Sequence, residues 1–151
     1  MMKIIAVLGI VMVILCSTAA SQNESGFGIG IIAGEPTGIA GKTWISQTTA
    51  FAGAAAWSFR EEAAFHMHVD YVLHSFDLIK IDKGKLPIYY GIGGRVKLAD
   101  DSKVGVRIPV GLDYLFEGAP VDVFVEIVPI LELVPETEFS LNGGIGVRYF
   151  F

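Results

Sequence analysis

His66, His68, Asp70 and His74 occupy alternate positions in HMHVDYVLH, so on an extended strand all four side chains share one face. A His-x-His pair presented this way can offer two imidazoles to a metal ion. The competing use is an interior polar row satisfied by charged neighbours: pairing this run with the next around their connection brings His66 or His68 level with Arg95. A guanidinium there repels a bound cation, so no metal ligand is assigned. Ser58 and His66 flank a turn carrying Glu61 and Glu62, a combination that contains a nucleophile and candidate bases. No stronger hydrolase motif accompanies it, and no catalytic residue is assigned. GIGIIAGEPTG holds Gly28-x-Gly30-x-x-Ala33, the skeleton of a dinucleotide-binding turn, but that turn must open a helix and here the chain runs into Pro36. A glycine-rich strand and a tight turn is the expected reading, and no cofactor is implied.

The elements that position these residues follow from period. Strand-like runs separated by turn residues fall at 27–33, 37–46, 50–59, 64–76, 86–98, 103–116, 120–133 and 138–151, with no helical pattern. The sixth is the clearest. Val104, Val106, Ile108, Val110, Leu112, Tyr114 and Phe116 alternate with Lys103, Gly105, Arg107, Pro109, Gly111, Asp113 and Leu115. The last run sets Leu141, Ile145, Val147, Tyr149 and Phe151 against Asn142, Gly144, Gly146 and Arg148. All but the first, which spans seven residues, are long enough to cross a bilayer when tilted, since a crossing takes about 9–11 residues, and an even number returns both ends to one side. The expected fold is all-β: an eight-stranded antiparallel up-and-down transmembrane β-barrel. Pro109 and Pro129 interrupt two runs, where each removes a ladder donor and predicts a bulge or local break. The seventh run also places Phe124, Val128 and Ile130 on a face expected to be polar.

Eight strands enclose an interior just wide enough for side chains to fill. The inward row is expected to carry Lys42, His66, His68, Asp70, Arg95, Arg107, Asp113, Glu126 and Arg148. Simple pairing sets Arg95 beside Arg107, Glu126 diagonal to Arg107, and Asp113 near Asp122. Mixed signs suit a self-neutralising plug, because a buried charge without a partner costs several kcal/mol. Gly91, Gly93, Gly105, Gly111, Gly144 and Gly146 would leave room for the long arginines. Trp44, Trp57, Phe59, Tyr71, Tyr90, Tyr114, Tyr149 and Phe151 read as girdle residues at the bilayer interface, whereas Tyr89 faces inward. The short outward loops would lie at 34–36, 60–63, 99–102 and 134–137, and the longest connection, 77–85, on the periplasmic side.

Lys3, the apolar run Ile4 to Leu15 and the small residues Ser17 to Ala20 form a secretory signal peptide, with cleavage expected after Ala20. Leu15 is too bulky for a lipobox before Cys16. The expected organisation is a signal peptide over 1–20 and one barrel domain over 21–151. That domain has no cysteine, and removing Lys3 leaves 10 basic against 16 acidic residues, a net charge of −6. Such a balance gives no basis for nucleic-acid binding.

GEPTG, KTWIS, PIYYGIGGR, GVRIPVGLDYLFEGAPVDVFVEIVP and LNGGIGVRYFF together resemble a family of small exported bacterial proteins regarded as OmpA-like eight-stranded outer-membrane barrels. The resemblance covers nearly all of 21–151 and implies the fold and the outer-membrane location. It implies no catalytic residues, because the family's molecular role is undefined. Beside OmpA and OmpX, the outward loops are shorter and a peptidoglycan-binding domain is lacking, which argues against cell-wall tethering and adhesion by protruding strands. The implied partners are outer-membrane lipid and the barrel-assembly machinery, which would read the last strand ending at Phe151. A structural or surface-exposed role without catalysis is expected first. Recognition of an extracellular protein through loops around Glu35, Glu61 and Asp100, and a lipid-modifying enzyme using Ser58 and His66, are the alternatives. A soluble lipocalin-like barrel is disfavoured, because the glycine, alanine and arginine rows are too small to enclose an apolar ligand.

Overall fold

The computed structural model describes residues 26–35, 37–58 and 64–151. The expected signal peptide, Pro36, Phe59, Glu61 and Glu62 lie outside them. Nine strands form one antiparallel sheet: β1 (Phe27–Glu35), β2 (Thr37–Trp44), β3 (Thr49–Ser58), β4 (Ala64–Ser75), β5 (Ile88–Leu98), β6 (Lys103–Arg107), β7 (Val110–Leu115), β8 (Val121–Val134) and β9 (Glu138–Phe150). Consecutive strands pair, except that β6 and β7 follow one another along the same stave between β5 and β8; β1 pairs with β9, and the sheet closes into a ring. Closure leaves no open sheet edge whose backbone polar groups would need water. Gly28-x-Gly30-x-x-Ala33 lies within β1, which leads to another strand and not to a helix.

The ninth strand arises because the sixth expected run is split at Ile108–Pro109. Both pieces lie between β5 and β8, so the barrel keeps eight staves. Gly91 N–H donates to the Pro109 carbonyl at 3.1 Å, and Ile108 N–H donates to the Pro129 carbonyl at 2.9 Å. In each exchange a proline lacks the N–H that would make the reciprocal bond. Two missing bonds, one on each side of the same two residues, interrupt the ladder. The register survives: Gly93 pairs with Arg107 and Tyr90 with Val110, the same offset on both sides of the gap. β8 runs unbroken through Pro129, and the register shift lies instead opposite Val104 and Gly105.

The alternation turns the usual globular arrangement inside out. Ile31, Val69, Ile92, Ile127, Leu141 and Ile145 stand exposed on the outer face. The opposite row buries twelve charged or histidine side chains: Lys42, His66, His68, Asp70, His74, Arg95, Arg107, Asp113, Asp122, Glu126, Glu132 and Arg148. Among the described residues no helix is long and apolar enough to cross a membrane, which leaves strand crossings untouched.

Candidate functional site: the charged interior

All nine residues expected on the inward row are buried inside the ring, and three more join them: His74, Asp122 and Glu132. They form a sequence of tiers along the axis. Nearest the end where β1 begins and β9 finishes, Lys42 Nζ lies 2.6 Å from Asp113 Oδ2 and 2.7 Å from His74 Nε2. An ammonium only donates, so His74 Nε2 accepts, and Nδ1 carries the proton donated to the Thr48 carbonyl at 3.0 Å. Arg148 closes the same tier by gripping both oxygens of Asp122, with Nε at 2.9 Å and Nη2 at 2.8 Å, while Nη2 lies 3.6 Å from Asp113. Two cations therefore face two fully buried carboxylates, which is the condition under which buried charge is tolerable.

In the middle tier, Arg107 Nε reaches Asp70 Oδ1 at 2.8 Å and Oδ2 at 3.1 Å, and its Nη2 lies 3.6 Å from Glu126. His68 Nε2 stands 3.8 Å from Asp70. Further along, Arg95 pairs with Glu132. His68 is level with Arg95 in the β4–β5 register, and His66 with Lys97. The expectation that Arg95 sits beside Arg107 is corrected. Their strands place Arg95 opposite Gly105 and Arg107 opposite Gly93, and each arginine takes a carboxylate on the far side of a glycine.

That arrangement has a simple construction. Asp70, Gly93 and Arg107 form a row across β4, β5 and β6, while Arg95, Gly105 and Glu132 form another across β5, β6 and β8. The middle strand supplies no side chain, so the outer two meet over it. A Cβ placed on Gly105 would lie 2.8 Å from Glu132 Oε2, and one on Gly93 would strike Asp70 Oδ1. The inward glycines thus make space for ion pairs, as expected, but also for rings: Gly111 lies under Tyr89 and Gly146 under Phe124.

Phe124, Val128 and Ile130 do face inward, so the interior is not uniformly polar. Phe124 carries the Arg148 guanidinium 4.0 Å over its ring, a stacking that suits a planar cation cut off from water. Trp44 is a correction to the girdle. It is buried, with Lys42 Nζ 4.2 Å over its ring and His74 4.4 Å away between centroids. Tyr89 also packs against His74, at 5.6 Å, and Phe76 completes a cluster at the mouth where β9 finishes. Trp57, Tyr71, Tyr90 and Tyr149 are exposed on the outer face; Tyr114 and Phe151 are partly exposed. Among the cavities lined by interior side chains, two hold about 20 and 10 Å³, of the order of one water molecule.

Sequence parity contained the residues that the expected set missed. Asp122 and Glu132 share the even row of β8 with Glu126, and His74 shares that of β4 with Asp70. Among the described residues no three His, Cys, Asp or Glu side chains converge as a metal site. Ser58 pairs with Ala64 and His66 with Ala56 in the β3–β4 register.

No family model and no curated protein matches the chain. Among solved structures, it is similar to the N-terminal β-barrel domain of Pseudomonas aeruginosa OprF, with a TM-score of 0.63 and 13% identity over 85% of this chain and 98% of that one. At that identity the likeness establishes the fold: an antiparallel up-and-down β-barrel.

Proposed function

We propose that the chain is a small outer-membrane β-barrel with a closed, ion-pair-filled lumen, serving a structural or surface-exposed role in the envelope without catalysis. The carrying observation is the inversion of burial: aliphatic side chains stand exposed on the outer face while twelve charged or histidine side chains are withdrawn inside. A water-soluble barrel would lose free energy on both counts. The outer aromatic pairs add support. Phe51–Tyr71, Tyr114–Phe116 and Tyr149–Phe151 lie toward the end where β9 finishes, while Trp57–Phe65 lies toward the other. Phe51 and Trp57 are six residues apart on β3, roughly 20 Å along the strand. The water-sized interior spaces favour a filled lumen over a conducting one. Outer-membrane lipid and the barrel-assembly machinery, engaging β9 through its aromatic end, are the partners this reading supplies.

The test is fractionation of the exported protein followed by electrophoresis with and without boiling. Recovery in the outer-membrane fraction, dependence on detergent and a band that shifts on boiling are expected. A chain that remains monomeric in buffer without detergent refutes the proposal.

A further inference from the structure

Residues 76–87, between β4 and β5, form the longest connection at the end where β1 begins and β9 finishes; its companions there span 45–48 and 116–120. The returning limb is fastened to the barrel. Lys85 and Leu115 exchange backbone hydrogen bonds of 3.0 and 2.8 Å, and the Tyr114 hydroxyl donates to the Lys83 carbonyl at 3.1 Å. Between the loop and the barrel lies an open cavity of about 730 Å³, whose lining includes Leu73, Ile79, Lys80, Ile81, Lys85 and Tyr90.

Leu73 and Tyr90 are register partners on β4 and β5, on the row that faces outward. The cavity therefore reaches the apolar wall, and it also opens on the mouth of the barrel, where His74 and Phe76 line it and Lys85 Nζ stands 5.6 Å over the Phe76 ring. Leu78 is 68% exposed on the loop, which also carries Lys80, Lys83 and Lys85. Against Asp77 and Asp82 the loop keeps a charge of +1, in a chain whose net charge is −5. The other described cations lie elsewhere: Lys42, Arg95, Arg107 and Arg148 are buried in the interior, and Lys97 and Lys103 border the opposite end. Exposed positive charge, exposed aliphatic side chains and an interfacial tyrosine thus coincide at one rim.

We propose that this cavity seats an anionic phospholipid of the adjacent leaflet, its phosphate between Lys80 and Lys85 and an acyl chain along Leu73 and Tyr90. Lysines at a membrane surface attract anionic lipid, and tyrosine favours the depth where chain and headgroup meet. The cavity is in the size range of small-molecule sites. The inference rests on the outer-membrane reading above.

The test uses the chain from Ser21 onward, folded in detergent micelles, with insertion checked first by the boiling shift. Phosphatidylglycerol, phosphatidylcholine and inorganic phosphate are then titrated, and adducts are counted by native mass spectrometry. One retained phosphatidylglycerol is expected, weakened about thirtyfold in the Lys80→Gln/Lys85→Gln variant and unchanged in Lys103→Gln. Equal retention by the double variant, or of phosphatidylcholine, overturns the site. Inorganic phosphate competing at the same concentration as the lipid reduces it to a free-anion site and also overturns it. A chain that fails to insert removes the membrane reading as well; an inserted chain without a retained lipid removes this inference alone.

Discussion

Arg107→Ala and Lys103→Ala remove the same charge from the same strand, four residues apart, and should differ several-fold in cost. The Arg107 side chain is 3% exposed and joined to Asp70 at 2.8 Å. Removing it leaves Asp70 and Glu126 buried without their cation, a loss of about 3–5 kcal/mol. Lys103 meets Glu138 at 3.1 Å with the two side chains 27% and 55% exposed, and water takes over its role for about 0–1 kcal/mol. Guanidinium unfolding of the barrel in detergent should move the midpoint by roughly 1 M for Arg107→Ala and hardly at all for Lys103→Ala. Arg107→Met separates charge from volume: it keeps the side chain's bulk and should still destabilise. Adding Asp70→Asn removes the orphaned carboxylate, so the double variant should recover stability with a coupling of about 1–3 kcal/mol. Equal, negligible shifts for Arg107→Ala and Lys103→Ala would refute the reasoning, as would additive behaviour of Asp70→Asn and Arg107→Met.

Two further substitutions probe the scaffold around these charges. Gly93→Ala should destabilise by about 2 kcal/mol or more, because its Cβ enters the path between Asp70 and Arg107, whereas the adjacent Gly94→Ala, with nothing within 4 Å of the new Cβ, should stay within about 0.5 kcal/mol; the boiling transition of each variant decides. Pro129→Ala supplies the N–H missing opposite Ile108, whose own N–H already bonds the Pro129 carbonyl at 2.9 Å. It should stabilise by about 0.5–1.5 kcal/mol, and an unchanged or lowered unfolding midpoint would count against the account of the split strand.

Much of the fold was legible in the chain because a strand's side chains change faces at every residue. Once Val104 to Phe116 are placed outward, Arg107 and Asp113 have nowhere else to go. The same rule placed Trp44 inside, two positions from Lys42, and it outweighed the tendency of aromatic residues at strand ends to sit at an interface. Parity likewise contained Glu132, which the expected set omitted. Sequence pairing reached Glu126 for Arg107, 3.6 Å away in the ring, but missed the partners that Arg95 and Arg107 hold most closely. Nearest-strand pairing sets Arg95 beside Arg107, but a partner across a glycine lies two strands away, and that relation exists only after the sheet has curved into a closed ring.

The inward Phe124, Val128 and Ile130 show why polarity alone misjudges this interior. A lumen of eight staves must be filled whatever the chemistry of the filling, and long charged side chains cannot tile it without leaving gaps beside their stems. Phe124 fills the space above Gly146 and presents its ring to the Arg148 guanidinium at 4.0 Å. The guanidinium edge then remains free to grip Asp122 with two hydrogen bonds. An apolar residue on the polar face therefore serves the ion pair: it replaces the water that the arginine gave up, without competing for the carboxylate that holds it.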